Sequence, residues 1–159
     1  MSIRSTSKAI ILHEGRVLLN KCFDKHNGEY YSLPGGGQNT YETMTEAVVR
    51  ECLEETGYTV TPIRLAAVCE EICEDEEIRR AYPDYAHKML HIFLCGLASE
   101  KVQEPTEKDN KQVGSEWIEL DRLKDIRLLP HALGMNITKV IAGTTPVLLG
   151  SEHISFNHG

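Results

Sequence analysis

The chain has 159 residues and a formal net charge of −7. A chain of this length buries enough apolar surface to fold without disulfides or metals, and we predict a single domain over residues 1–159. Its acidic balance argues against binding along a nucleic acid backbone, which requires a basic surface. A small phosphorylated ligand is still compatible with that charge.

The start of the chain, MSIRSTSKAIILHEG, contains no long apolar stretch and therefore predicts no signal peptide. No run approaches the roughly 18 apolar residues that a membrane span requires. The five cysteines are odd in number and form no CxxC pair. Scattered thiols of this kind are typical of a reducing compartment. The sequence therefore predicts a cytoplasmic protein that makes no contact with a membrane.

The first third of the chain alternates between β-prone runs and polar or glycine-rich segments. Glu14-Gly15 separates two of these runs, which predicts a hairpin, and a third strand ends at Pro34 and three glycines. We predict these three strands at residues 8–13, 16–23 and 30–33.

The strongest helix signal follows the glycines. Thr43 and Glu46 have the spacing of a capping box, and Gly57 supplies a C-terminal stop. Good helix formers lie between them, so we predict one helix from Thr43 to Gly57.

The remainder of the chain predicts further strands and one more helix. The run at 87–98 is apolar on both faces towards its end, which predicts a central strand. Strands are expected at 64–73, 87–98 and 116–120, polar segments at 74–84 and 99–112, a helix at 129–142 and a short apolar segment at 146–149. The pattern predicts an α/β fold in which helices pack on the faces of a mixed sheet.

Within the predicted helix, Glu51, Glu54 and Glu55 fall on one face because they are related by i,i+3 and i,i+4 spacing. Two like charges about 5 Å apart repel by about 3 kcal/mol at an effective dielectric constant near 20. Arg50 is the one cation nearby in the sequence. The face is either a solvated surface or a site for a divalent cation such as Mg²⁺ or Mn²⁺, which prefer oxygen ligands.

The segment LPGGGQ comes shortly before this helix. Gly35, Gly36 and Gly37 allow the backbone to approach a ligand closely and to present N–H groups to anionic oxygens. The alternative is a flexible turn. The segment is not a P-loop, because no Gly-Lys-Ser/Thr follows it.

Together these positions resemble the complete Nudix box, which here covers residues 36–58. Every charged residue and glycine of the pattern stands at the required spacing, and a cysteine replaces the larger aliphatic residue that is usual at one position. That difference should affect packing more than chemistry. The matching positions are Gly36, Glu42, Arg50, Glu51, Cys52, Glu54, Glu55, Gly57 and Tyr58.

The resemblance implies a Nudix-type α/β/α sandwich with a mixed sheet and a loop–helix–loop catalytic motif. It implies Mg²⁺- or Mn²⁺-dependent hydrolysis of a pyrophosphate bond in a nucleoside diphosphate linked to another moiety. Nucleoside triphosphates, ADP-ribose or other nucleotide sugars, and dinucleoside polyphosphates all stay open as substrates. The resemblance also leaves open whether the protein is a homodimer. It leaves open the alternative of a regulatory domain that binds nucleotides without turnover.

The resemblance also implies a role for each residue of the box. Arg50 would orient the glutamates, and Glu42 would brace the loop. Catalytic roles are implied for Glu51, Arg50 and Glu54; metal ligation for Glu51, Glu54, Glu55 and a carbonyl of Gly36 or Gly35; and substrate binding for Gly35, Gly36 and Gly37. The general base stays open between Glu51 and three more distant carboxylates, Glu104, Glu107 and Glu116.

Several histidines and tyrosines admit either a packing role or a ligand role. His87 and His91 share one face of a predicted strand, and packing is the favoured interpretation for both. Stacking on a nucleobase is the alternative to packing for the tyrosines at positions 30, 31, 82 and 85.

Overall fold

The computed structural model describes residues 2–107 and 111–156. These ranges contain strands and helices in the proportions of a mixed α/β fold. The strands are β1 Arg4–His13, β2 Arg16–Asp24, β3 Gly28–Ser32, β4 Gly35–Gly37, β5 Tyr58–Cys73, β6 His87–Val102, β7 Gln112–Glu119, β8 Leu128–Leu129 and β9 Val147–Ile154. The helices are α1 Met44–Thr56, α2 Glu76–Ala81 and α3 His131–Ala142, with a 3-10 helix at Leu120–Asp125.

All nine strands belong to one mixed sheet with the order β8-β3-β2-β1-β6-β5-β9, to which β4 is added beside β1 and β7 beside β2. β1 and β2 form the predicted antiparallel hairpin. β1 runs parallel to β6, from the pair Arg4 and Lys88 to the pair Ile11 and Cys95. β6 lies between β1 and β5, which confirms its predicted central position.

Apolar side chains along the central strands point alternately to the two faces of the sheet, and both faces are buried. In β1, Ile10 joins a core cluster that includes Leu133 of α3. Its neighbours Ala9 and Ile11 join a second cluster that includes Val48 of α1. Because successive side chains of a strand point to opposite faces, α1 and α3 cover opposite sides of the sheet. The predicted α/β/α arrangement is confirmed.

α1 begins and ends where its sequence signals predict. The Thr43 side chain accepts the N–H of Glu46, and the Glu46 carboxylate accepts the N–H of Thr43, so both halves of the capping box are present. Gly57 ends the helix at φ 79°. β5 starts at the next residue, Tyr58, so α1 is followed immediately by the sheet.

The glycine stretch differs from the predicted loop. Gly35, Gly36 and Gly37 form β4 and pair antiparallel with Lys8, Ser7 and Thr6 of β1. Strand propensity is low for glycine, so the local sequence does not indicate a strand. Pairing with β1 overrides this low strand propensity, since a backbone without side chains can approach its neighbour closely.

The structure differs from the predicted elements in other places as well, and strand pairing between distant segments accounts for part of this. β5 and β6 are longer than predicted because they pair with each other from Tyr58 and Val102 to Ile72 and His87. A short helix, capped by Asp75, lies in the polar segment at 74–84, and the apolar segment at 146–149 begins β9. The segment predicted to be polar at 99–112 starts as the end of β6, and its residues 108–110 lie outside the described ranges.

All five cysteines are buried free thiols, in agreement with the prediction that they form no disulfide framework. Among the described residues, the helices are too short or too polar to cross a membrane.

Gly57 offers a test of how α1 is joined to the sheet. A left-handed conformation costs an L-residue roughly 1–2 kcal/mol, and a Cβ at this position would also collide with the carbonyl oxygen of Gln103. Gly57→Ala should therefore lower the free energy of unfolding, measured in urea, by more than Gly28→Ala does. Gly28 is the matched control because it has φ 71° and open space around it. Equal losses in the two variants would contradict a tight junction at Gly57.

Candidate active site

The guanidinium of Arg50 organises the acidic face of α1. Its Nε and Nη2 donate to the two carboxylate oxygens of Glu42 at 2.7 and 2.9 Å. Its Nη1 donates to Glu51 at 2.8 Å and to Glu54 at 3.2 Å, and Nη2 donates to the carbonyl of Gly37 at 3.0 Å. Five hydrogen bonds match the five N–H donors of arginine. One side chain thus ties the helix to the loop and to β4.

These contacts also fix the charge of the loop carboxylate. The hydrogen bonds from Arg50, together with one from the N–H of Asn39, lower the pKa of Glu42 from 4.5 to about 2. The Arg50 pKa is raised in turn, chiefly by its hydrogen bonds to Glu42. Both groups are therefore charged throughout the physiological pH range.

Glu55 points in a different direction from the other two glutamates, into the sheet. Its side chain is only 6% exposed. One carboxylate oxygen accepts the backbone N–H of Gly35 and the side-chain amide of Asn20, each at 3.0 Å. Burial raises the pKa of Glu55 to about 7, and the charge of Glu51 adds to that rise, whereas Lys8 and the two hydrogen bonds oppose it.

A polar network on β2 and β7 supports Glu55. The side-chain oxygen of Asn20 accepts hydrogen bonds from Gln112 at 3.1 Å and from the Ser115 hydroxyl at 3.2 Å. The Gln112 amide also donates to the backbone carbonyl of Glu55 at 3.2 Å. Asn20 and Gln112 are buried, so the network fixes both the Glu55 carboxylate and the end of α1.

Sequence reasoning missed this network. The available signal was the amide of Asn20, which directly follows the apolar run Val17-Leu18-Leu19 in a predicted strand. Ser115 and Gln112 carried no signal, because their approach to Asn20 depends on how β7 pairs with β2.

The three glycines of β4 leave space that neighbouring groups fill. A Cβ on Gly35 would meet the backbone of β1, and a Cβ on Gly36 would lie 2.6 Å from the carboxylate of Glu51. A Cβ on Gly37 would collide with the guanidinium of Arg4. Gly35 directs its N–H to Glu55. A substrate-binding role for these glycines stays a prediction.

The three carboxylates outside the box that are candidates for the general base lie in different surroundings. They belong to Glu104, Glu107 and Glu116. Glu116 accepts a hydrogen bond from Tyr31 at 2.6 Å. It pairs across the strands with Leu19, which belongs to the core cluster on the α3 side, so Glu116 lies on the opposite face of the sheet from Glu55. Glu107 instead runs beside α1, since its backbone N–H donates to the carbonyl of Glu54 at 3.0 Å.

Glu104 belongs to the same segment as Glu107 and is exposed. This segment is joined to the end of α1 at a second point, where the N–H of Gln103 donates to the carbonyl of Gly57 at 2.9 Å. Of the three distal candidates, Glu104 and Glu107 therefore lie in the segment that passes α1.

The donor set of α1 fits a hard divalent cation. Glu51 and Glu54 share one nitrogen of Arg50, and Glu51 lies close enough to Glu55 to raise its pKa. Bound Mg²⁺ or Mn²⁺ would favour the ionised carboxylates and offset their repulsion. Elsewhere in the described structure, ligand atoms of His13, Glu14 and Glu100 lie within 4.8 Å of one another at the surface. Exposed acidic groups of this kind are common without an ion, and we assign no site there.

The histidines have structural partners. His87 pairs with Glu70 at 2.8 Å, and the His91 ring contacts the carbonyl oxygen of Thr6 at 3.1 Å. Both contacts support the packing interpretation. Among the tyrosines, Tyr30 is buried, whereas Tyr85 is 49% exposed and lies beneath the guanidinium of Arg4.

Comparison with known proteins gives two relatives of partial length. A relative from Caenorhabditis elegans, provisionally named nudix hydrolase 1, is 27% identical over 108 residues, which are 68% of this chain and 25% of the relative. A relative from Bacillus subtilis (strain 168), provisionally named an ADP-ribose pyrophosphatase, is 31% identical over 88 residues, which are 55% of this chain and 38% of the relative. The chain thus spans well under half the length of these curated relatives.

Comparison with solved structures shows that the fold is shared as well. The solved structure of a NUDIX hydrolase from Nitrosomonas europaea superposes with a TM-score of 0.67 at 20% identity and covers 89% of each chain. The family model described as the NUDIX domain matches residues 3–137, which include every strand from β1 to β8 and the whole of α1. With its box complete and its fold shared, this chain belongs to the Nudix family.

Proposed function

We propose that this chain is a metal-dependent pyrophosphohydrolase acting on a nucleoside diphosphate linked to another moiety. The observation that carries the proposal is the intact α1 face, with Glu51, Glu54 and Glu55 all present and Arg50 holding two of them. A domain that only bound nucleotides would not need three carboxylates gathered at such a cost in repulsion.

In the proposed reaction, water adds to one phosphorus and the bridging oxygen leaves with the other. The products are a nucleoside phosphate and a second phosphate compound, and no oxidant or further reactant is required. Bound Mg²⁺ or Mn²⁺ would neutralise the phosphate charge and make the attacking water more acidic. The chain itself contributes positioning, because Arg50 orients Glu51 and Glu54 while Asn20 and Gly35 orient Glu55.

A carboxylate must accept the proton of the attacking water. Glu51 is the candidate within the box, and Glu104 and Glu107 are the candidates in the segment beside α1. Glu116 is the weakest candidate, since its carboxylate is bonded to Tyr31 on the other face of the sheet.

Regulatory binding without turnover remains the second candidate function, and loss of box glutamates would have favoured it. A single domain over residues 1–159, a cytoplasmic location, a homodimeric state and the lack of a nucleic acid partner stay predictions from composition and from the family resemblance.

The assignment of the acidic face can be tested by removing one charge at a time. Glu54→Gln and Glu55→Gln keep the side-chain size, and each should lower Mg²⁺-dependent hydrolysis of nucleotide diphosphate derivatives. Losing even an outer partner of a metal ligand typically costs about 10–100-fold, so the loss here should be at least as large. Product formation followed by mass spectrometry is the measurement.

Glu119→Gln is the matched control, because Glu119 is exposed on β7. It should retain wild-type turnover, and circular dichroism should show that all three variants are folded. Near-normal turnover in both α1 variants would overturn the metal assignment.

The network around Asn20 predicts a positioning effect. Asn20→Ala removes the amide that orients Glu55 and should weaken Mn²⁺ affinity by about 10–100-fold, in the range of losses measured for residues that orient metal ligands. Mn²⁺ binding followed by electron paramagnetic resonance measures this without turnover. Asn136→Ala, on α3, is the matched control and should bind Mn²⁺ as the wild type does. Unchanged affinity in Asn20→Ala would show that the network serves stability alone.

The pairing of Arg50 with Glu42 predicts a dependence of stability on pH. Because the pKa of Glu42 is lowered from 4.5 to about 2, its ion pair stabilises the folded state above about pH 4.5, and this contribution is lost as the pH falls towards 2. Urea unfolding should therefore show Glu42→Gln to be less stable than the wild type at pH 6, with the difference shrinking below pH 4.5. A difference that stays constant down to pH 2.5 would contradict the ion pair.

A further inference from the structure

Lys8 of β1 lies against the glycine strand β4. It pairs with Gly35 in the antiparallel register, and a Cβ on Gly35 would lie 3.0 Å from the Cδ of Lys8. The Nζ of Lys8 donates to the carbonyl of Gly35 at 3.2 Å and to the carbonyl of Leu33 at 3.5 Å. This half-buried side chain thus packs over Gly35 and places its ammonium group at two backbone oxygens of the LPGGGQ segment.

Gly35 connects the ammonium group of Lys8 to the carboxylate of Glu55. The carbonyl oxygen of Gly35 accepts a hydrogen bond from Lys8, and its N–H donates to Glu55 at 3.0 Å. One glycine therefore holds a cation at one of its backbone groups and an acidic side chain of the Nudix box at the other.

The charge of Lys8 acts on α1 as well as on β4. Burial raises the pKa of Glu55 to about 7, and Lys8 is the largest of the influences that oppose this rise. Burial also raises the pKa of Cys52 on the same helix, and Lys8 opposes that rise too. The ammonium group is therefore directed towards the C-terminal half of α1, although its backbone belongs to β1.

Lys8 lacks a close carboxylate partner. Among residues 2–107 and 111–156 it forms no ion pair, whereas Lys88 of the neighbouring strand β6 pairs with Glu71 at 3.5 Å. A charge that is partly removed from water needs compensation from polar or charged groups. For Lys8 this compensation consists of two carbonyl oxygens and the charge of Glu55.

We propose that Lys8 is a positioning residue that competes with the divalent cation for the carbonyl of Gly35 and the carboxylate of Glu55. This inference rests on the proposed function, in which both groups are candidate metal ligands. Two cations that share the same ligands repel each other. The four-carbon stem of lysine is flexible, so the ammonium group can leave the Gly35 carbonyl. Lys8 thereby holds β4 and Glu55 in place and limits how tightly the site binds metal.

The Mn²⁺ affinity, followed by electron paramagnetic resonance, tests this competition without turnover. Lys8→Met keeps a long unbranched side chain but removes the charge and the donor. It should bind Mn²⁺ about tenfold more tightly than the wild type, because binding no longer displaces a hydrogen bond from a charged group. Lys8→Arg keeps the charge and should stay close to the wild-type affinity.

Lys124→Met is the matched control for the loss of one positive charge. Lys124 is exposed on the 3-10 helix, and its replacement should leave the Mn²⁺ affinity unchanged. Circular dichroism should show that all variants are folded. If Lys8→Met does not fold, Lys8→Gln takes its place. It keeps a hydrogen-bond donor but not the charge, and it should also bind Mn²⁺ more tightly than the wild type.

Urea unfolding in EDTA tests the link between Lys8 and Glu55. At pH 8.5 Glu55, with a pKa of about 7, is ionised. Lys8→Met should therefore lower the free energy of unfolding more in the wild-type background than in Glu55→Gln, since only the first background contains the interacting charge. Equal losses in the two backgrounds would overturn the inference.

The outcome for Mn²⁺ separates the inference from the proposed function. Tighter binding by Lys8→Met, with wild-type affinity in Lys8→Arg and Lys124→Met, would support the competition. Binding by Lys8→Met that is equal to or weaker than that of the wild type would overturn it while the hydrolase function stands. Absence of Mn²⁺ binding in every protein would overturn the inference together with the metal assignment.

Discussion

The acidic face of α1 exists because one guanidinium neutralises much of its charge. Like charges on one helix face repel, and two unit charges about 5 Å apart would do so by about 3 kcal/mol at an effective dielectric constant near 20. Arg50 offsets this with all five of its N–H donors, divided among Glu42, Glu51, Glu54 and the carbonyl of Gly37. Lysine has three donors from one point and could not replace it. Because the same group reaches both the loop and β4, it also fixes the shape of the loop–helix–loop motif.

The three glutamates are held by different means. Glu51 and Glu54 are held from the solvent side by Arg50, whereas Glu55 is held from the sheet by Asn20 and Gly35. Burial raises the pKa of Glu55 to about 7. A divalent cation bound beside it would favour the ionised carboxylate.

The glycines before α1 act through the space that they leave. A flexible loop was one interpretation of the sequence, but the residues form β4, and the positions of their absent side chains are taken by the β1 backbone, Glu51 and Arg4. Their contribution is to allow a carboxylate and a guanidinium to lie against the backbone.

The sequence by itself determined α1, its caps and its acidic face, because these depend on contacts three or four residues apart. It also predicted the hairpin and the central β6 from their apolar patterns. Only the tertiary structure decided that Glu55 meets Asn20 and Gln112, that Glu116 faces away, and that Arg4 lies on Gly37. Those contacts depend on strand register between segments far apart in the chain, and a shift of one residue would reverse every side chain involved.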